Sequence, residues 1–195
     1  MSEPALDYVK QRTRVELHDG RIVAMSPGHS TNHGAVSFNI SSIFRRYLKG
    51  KPCRIVPDGI YLRLSEKDRF LPDVMIVCDK EKYKTDAVYG APDLVVEVLS
   101  PSTKNYDRGY KKSVYEKFGV KEYWLVNTDS RSVEVHLLRD GRLEFDNEYA
   151  VYPDYYLESD LLLTDEEKER IVKEFSPSIF PEMVISIEEI FEGMI

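Results

Sequence analysis

Two acidic residues stand where buried strands should carry none. Asp73 opens the apolar run Val74-Met75-Ile76-Val77, and Glu97 interrupts Leu94-Val95-Val96-Glu97-Val98-Leu99. A carboxylate inside such a run is unfavourable unless it is paired or binds a cation. Taken alone, Glu97 reads as an ion-paired structural residue, or as part of an edge strand with one wet face. Asp73 at the mouth of the neighbouring run shifts that balance. Two carboxylates on adjacent strands can hold a hard cation, and Mg²⁺ asks for only one or two of them.

A third group follows in sequence. Residues 107–118 have helical spacing, with Asp107 near the start and Gly119 at the end. At about 100° per residue, Tyr110, Val114 and Phe118 define an apolar arc that Tyr115 extends, and Lys111 falls on it. Lys112 points elsewhere and can pair with Glu116 at i+4. The plain alternative for Lys111 is a snorkelling side chain whose stem covers apolar surface. An inward lysine packed on a strand that carries an inward glutamate favours a built pair instead.

The elements around these groups can be read in order. Leu94 to Leu99 is apolar on both alternating faces apart from Glu97, which places its strand centrally in a sheet. Residues 1–12 read as a short N-terminal helix through Tyr8 and Val9. Arg14 to Leu17 and Arg21 to Met25 flank the hairpin signal Asp19-Gly20. Glu16 lies on the first of these strands, and the solvated face of a two-stranded ribbon is its plain reading. Ser30 to Lys49 is the clearest helix, with Val36, Ile40, Ile43, Phe44, Tyr47 and Leu48 on one face and Gly50 and Pro52 as stops. His29 and His33 are four apart, the spacing of a helical metal pair. No third ligand of matching kind follows them, so they read first as cap and surface residues.

Further on, Cys53 to Leu64 alternates like a strand broken by Pro57-Asp58-Gly59. Asp79 to Gly90 reads as a charged loop in which Lys80, Lys82 and Lys84 are solvated or touch phosphate. Glu122 to Asn127 and Arg131 to Leu138 read as antiparallel strands, and Asp140-Gly141 turns into a third from Leu143 to Val151. Leu161 to Phe175 reads as a helix capped by Thr164, and Ile185 to Phe191 as a short closing helix.

Taken together, these residues resemble a known family. Pro72-Asp73, Glu97-Val98-Leu99-Ser100-Pro101-Ser102, Asp107, Lys111, Tyr115 and Gly119-Val120-Lys121-Glu122-Tyr123-Trp124-Leu125-Val126 are similar to the Uma-two family. That family is a branch of the restriction-endonuclease-like, PD-(D/E)xK nuclease superfamily. The likeness extends upstream to Glu16 through Pro27 and to His33. The superfamily pattern has lysine two residues after the glutamate, where this chain has Leu99. Lys111 on the following helix is the counterpart that the resemblance offers.

The resemblance implies an α/β fold of the restriction-endonuclease-like type: a mixed central sheet flanked by helices, with a β-meander extension. It implies Mg²⁺-dependent (or Mn²⁺-dependent) hydrolysis of phosphodiester bonds in DNA. Asp73, Glu97 and the Val98 carbonyl are the expected metal ligands, and Asp73, Glu97 and Lys111 the expected catalytic group. Glu16 is a further candidate for the metal site, and His33 for its mouth. A homodimer using the aromatics near Tyr123 and Trp124 is expected from the same source.

Composition bounds these expectations. A length of 195 residues fits one domain over 1–195, with residues 153–195 as an acidic, helical C-terminal extension. Hydrophobic content of 42% and a 31% charged fraction are ordinary for a soluble chain. No run approaches membrane-spanning length and no secretory signal pattern opens the sequence, so a cytoplasmic protein without a membrane partner is expected. Cys53 and Cys78 read as reduced core thiols. The net charge of −7 argues against a nucleic-acid binder. Residues 153–195 carry three basic and twelve acidic side chains, leaving residues 1–152 with 24 basic and 22 acidic, so the acidity is a C-terminal feature.

Two other functions compete with the nuclease reading. The first is a nuclease-fold module, weak or inactive as an enzyme, that binds nucleic acid or a protein. The near-neutral body and acidic tail favour it, and the Asp73, Glu97 and Lys111 set opposes it. The second is another hydrolase. The chain has no Gly-x-Ser-x-Gly elbow, phosphate loop or His-Glu-x-x-His motif, and Ser100 and Ser102 read as capping residues beside Pro101.

Overall fold

The computed structural model describes residues 14–25, 28–159 and 162–195; the helix expected over residues 1–12 lies outside them. The described chain begins with a hairpin of β1 (Val15–His18) and β2 (Arg21–Ala24), turned by Asp19 and Gly20, both at positive φ. Helix α1 (Thr31–Tyr47) follows, its first turn capped by the Ser30 hydroxyl accepting from the His33 N–H. Then come β3 (Arg54–Pro57), β4 (Tyr61–Arg63), β5 (Arg69–Phe70), β6 (Val74–Val77), β7 (Ala87–Tyr89) and β8 (Leu94–Val98).

Helix α2 (residues 104–118) has three parts: an α turn Lys104–Tyr106, a π turn Asp107–Lys111 and an α stretch Lys112–Phe118. It begins three residues earlier than its apolar spacing predicts, because the Ser100 carbonyl accepts from the Lys104 N–H and the Ser100 hydroxyl from the Thr103 N–H. Gly119 ends it in the left-handed region at φ 84°. The meander β9 (Glu122–Asn127), β10 (Ser132–Arg139) and β11 (Arg142–Ala150) comes next. The chain closes with α3 (Asp154–Leu157), α4 (Asp165–Glu169), the paired strands β12 (Glu174–Phe175) and β13 (Ile185–Ser186), and α5 (Ile187–Ile190).

The main sheet has six strands in the order β11-β10-β9-β8-β6-β3, and the pair β8–β9 is parallel while its other pairs are antiparallel. This is the mixed α/β sheet with a meander that was expected. Parallel neighbours need a crossover, and α2 provides it. A second sheet has the order β2-β1-β5-β4-β7, and its β1 meets the segment leading into β6 where Glu16 accepts from the Leu71 N–H.

Strand alternation sorts the core onto two faces. Leu94, Val96 and Val98 pack with Val36, Ile40 and Phe44 of α1. Val95 packs on the opposite face with Val114 and Tyr115 of α2. Glu97 shares the parity of Val95, so it is aimed at α2 rather than α1.

Cys53 and Cys78 are not free thiols but a disulfide. Arg54 pairs with Val77, so the two cysteines face each other one step beyond that pair, 3.8 Å apart at Cα. The Asp79–Gly90 segment is not simply a loop: Ala87 and Val88 are buried, and β7 pairs in parallel with β4. Within it, Lys82 is used structurally, donating to the Ala91 carbonyl.

The helix expected from Leu161 to Phe175 is only the short α4. Thr164 caps it as read, in a capping box with Glu167, but Phe175 is drawn into β12, where it stacks on Tyr149 and packs against Trp124. Ile185 and Ser186, read as helical, are strand, and the closing helix is confined to α5. The C-terminal segment is therefore not a helical extension but part of the core, since Phe175, Ile185, Ile187, Ile190 and Phe191 are all buried in it. Tyr123 and Trp124 are both 0% exposed within one chain, so they cannot form the surface of a dimer.

Candidate functional site

The ladder between β6 and β8 builds the first part of the site. Val74 pairs with Val96 and Met75 with Val95, so the next pair outward sets Asp73 opposite Glu97. The Val98 N–H donates to Asp73 Oδ2 at 2.7 Å, fixing that carboxylate across the strand ends. The first turn of α1 brings His33, whose Nε2 lies 3.3 Å from Asp73 Oδ1.

Lys111 enters from α2. Its Nζ lies 3.2 Å from Glu97 Oε1, 3.1 Å from Glu16 Oε1 and 3.2 Å from Asp107 Oδ1. Lys111 and Glu16 are each 1% exposed and Glu97 3%, so all three are withdrawn from solvent. The Tyr115 hydroxyl donates to Glu97 Oε1 at 2.7 Å, and the Leu71 N–H donates to Glu16 Oε1 at 2.8 Å. On its other oxygen, Glu16 meets His18 Nε2 at 2.8 Å.

The solvated reading of Glu16 is thereby overturned. The hairpin is not an isolated ribbon, because Leu17 pairs with Arg69 of β5 and turns the Glu16 face inward. Asp107 was legible only as a residue near a helix start. The π turn puts it on the same side as Lys111.

Electrostatics divide the carboxylates. Burial raises the proton affinity of each, and Lys111 lowers it. For Glu16 the Lys111 charge, with the hydrogen bonds from His18 and Leu71, prevails and holds it below its usual range. For Glu97 burial prevails, and Asp107, Asp73 and Glu16 add to it, so its carboxyl sits well above the usual range. Asp107 is also raised by burial despite Lys111. Burial alone would lower Lys111, but Glu97, Glu16 and Asp107 outweigh it and hold the ammonium firmly protonated. Burial and three neighbouring acids thus leave Glu97 the carboxyl whose charge a further cation would relieve most.

Asp73, Glu97 and Lys111 line one cleft of about 620 Å³, into which His29, His33 and the basic side chains Arg14, Lys104 and Arg108 also face. Asp73 and Glu97, with the Val98 backbone between them, offer oxygen donors to a divalent cation. His29 and His33 add nitrogen donors on the Asp73 side. His33 is buried rather than a surface residue, and its bond to Asp73 holds the imidazole above its usual value although burial opposes this. Ser100 and Ser102 bond each other in the turn after β8, as capping residues do.

Comparison with known proteins agrees with this architecture. The family model described as "Uma2: Putative restriction endonuclease" matches residues 4–149. Two proteins of Synechocystis sp. are similar. Uncharacterized protein slr1290 is 35% identical over 133 residues, covering 67% of this chain and 70% of its own. Uncharacterized protein sll1609 is 28% identical over 138 residues, covering 67% of this chain and 77% of its own. A crystal structure described as "a putative nuclease belonging to DUF820" from Anabaena variabilis shares the fold, with a TM-score of 0.66 at 17% identity over 94% of both chains.

Proposed function

The chain belongs to the Uma2 family of restriction-endonuclease-like proteins, and from that premise we propose that it is a Mg²⁺-dependent (or Mn²⁺-dependent) endonuclease acting on DNA. The observation that carries the reading is the pairing of Asp73 with Glu97 across the ends of β6 and β8, with Lys111 bonded to Glu97 from α2. The residues fit a cation: Glu97 is a buried carboxyl burdened by three neighbouring acids, a position that a divalent ion relieves.

In this reading Asp73, Glu97 and the Val98 carbonyl hold the ion. A divalent ion there supplies polarisation of the phosphoryl oxygen and a more acidic water. Lys111 keeps Glu97 and Glu16 in place and presents positive charge at the cleft wall, where charge develops on the phosphate. Tyr115 fixes the Glu97 rotamer through its hydroxyl. Lys104, and Arg108 from its ion pair with Glu134, supply salt-sensitive phosphate contacts at the cleft, and the net charge of −7 weakens them.

The test is nicking of supercoiled DNA with Mg²⁺ or Mn²⁺ by wild type, Asp73→Asn and Glu97→Gln. Each substitution should lower the rate by at least about a hundredfold, the loss of several kcal/mol of charge stabilisation. Variants that are folded and cut at the wild-type rate would remove the assignment. The acidic C-terminal segment favours one second reading, a nuclease-fold binding module. Metal binding without cleavage of DNA or RNA is the result that selects it.

A further inference from the structure

His29, His33 and Asp73 form a donor set that the carboxylate pair does not explain. We propose that these three residues bind a borderline transition-metal ion of the Zn²⁺, Co²⁺ or Ni²⁺ class in preference to Mg²⁺. Their donor atoms all lie within 4.8 Å of one another. His33 Nε2 and Asp73 Oδ1 are 3.3 Å apart. That matches the edge of a tetrahedron with metal–ligand bonds near 2.0–2.1 Å, about 3.3 Å. The His29 ring stacks on His33 at 4.1 Å, nearly parallel. His29 lies on coil just before the Ser30 cap, outside the helical hydrogen bonds, so its ring can close the remaining distance without disturbing α1.

The plain reading is a His33–Asp73 ion pair with His29 resting on it. An ion pair does not call for a second imidazole beside it, whereas a metal site takes that ring as its third donor. Asp58 stands 3.9 Å from His29 Nε2 and is itself held by Arg14 through bonds of 2.9 and 2.7 Å. At that distance Asp58 makes no hydrogen bond to the ring, and acts on His29 through its charge alone. Two imidazoles and one carboxylate suit Zn²⁺, Co²⁺ or Ni²⁺, while Mg²⁺ selects oxygen. Three protein donors leave a coordination position for the cleft, as in catalytic rather than structural zinc sites. Asp73 is shared with the cation position proposed above. Metal binding is measured directly, so this inference stands or falls without the nuclease reading.

The experiment is calorimetric titration of Zn²⁺, and absorption-monitored titration of Co²⁺, into wild type, His29→Ala and His33→Ala in excess Mg²⁺. Wild type should bind one ion per chain and develop visible Co²⁺ bands. His29→Ala, a change on exposed coil that should leave the far-ultraviolet circular dichroism unaltered, should weaken Zn²⁺ binding by at least about tenfold. No Zn²⁺ binding by wild type, wild-type affinity in His29→Ala, or displacement of Zn²⁺ by Mg²⁺ on equal terms would each overturn the proposal.

Discussion

At the scale of single residues, Lys111 and Glu97 occupy one cluster but make opposite contributions to stability. Lys111 answers Glu16, Glu97 and Asp107 at 3.1–3.2 Å. Lys111→Met leaves those carboxylates buried without their cation, and should destabilise the protein by about 3–5 kcal/mol in chemical denaturation. A rate lost in that variant must therefore be read beside its stability. Glu97→Gln should do the reverse. Its folded-state pKa lies above the unfolded value, so in the metal-free protein its contribution falls as pH rises beyond the ordinary glutamate range, about 4.3. Glu97→Gln should then raise the metal-free Tm at neutral pH, by about 2–4 °C for each kcal/mol relieved, with the gain vanishing toward pH of about 4. Thermal scans across pH check this, and a Tm lowered at neutral pH would count against it. The same directions govern metal binding. Glu97 and His33 both sit above their ordinary values, so both release protons to a cation. Affinity should climb between about pH 5 and 8, with proton release seen by calorimetry in buffers of different ionisation enthalpy.

At the scale of elements, the site depends on where α2 starts, bulges and stops. The π turn Asp107–Lys111 sets both residues inward, and the α stretch after it aims Val114 and Tyr115 at the sheet. π turns cluster at functional sites because they re-aim a side chain without ending the helix. Gly119 then turns the chain into β9 at φ 84°, with no atom within 4 Å of where a Cβ would stand. Its constraint is thus purely one of backbone conformation. Gly119→Ala should cost about 1–2 kcal/mol, read as a shift in denaturation midpoint with unchanged slope. Metal affinity should remain at the wild-type value, because the strain falls at the far end of the helix from Asp107 and Lys111.

At the scale of the molecule, the sheet is held at one end by a covalent link and backed by the C-terminal segment. The Cys53–Cys78 bond closes a loop of sequence separation 25 between β3 and β6, the strand that Asp73 leads into. Cys53→Ser with Cys78→Ser should remove about 3 kcal/mol, a Tm fall of roughly 5–10 °C. Reduction of the wild type should reproduce this fall, and an unchanged Tm in the double variant would show that the link contributes nothing to stability. On the opposite face from α2, Phe175, Ile187 and Phe191 bury themselves against α1 and the sheet. The negative charge of residues 153–195 therefore lies largely on a segment that the core needs.

The local features were legible before any folding. The alternation around Glu97, the spacing of α1, the Asp19-Gly20 and Asp140-Gly141 turns, the Thr164 cap and the inward position of Lys111 all follow from periods of two and 3.6 residues and from turn and capping chemistry. Tertiary structure alone decided what meets across long separations. Glu16 gained its burial from β5, and His33 and His29 met Asp73 through the packing of α1 on the sheet. Cys53 met Cys78 through the register of β3 on β6. Phe175 left a helical pattern because a strand position against Trp124 and Tyr149 buries it better. Periodicity records which face a residue occupies. The partner on that face is set by register and packing between distant segments, which no local window contains.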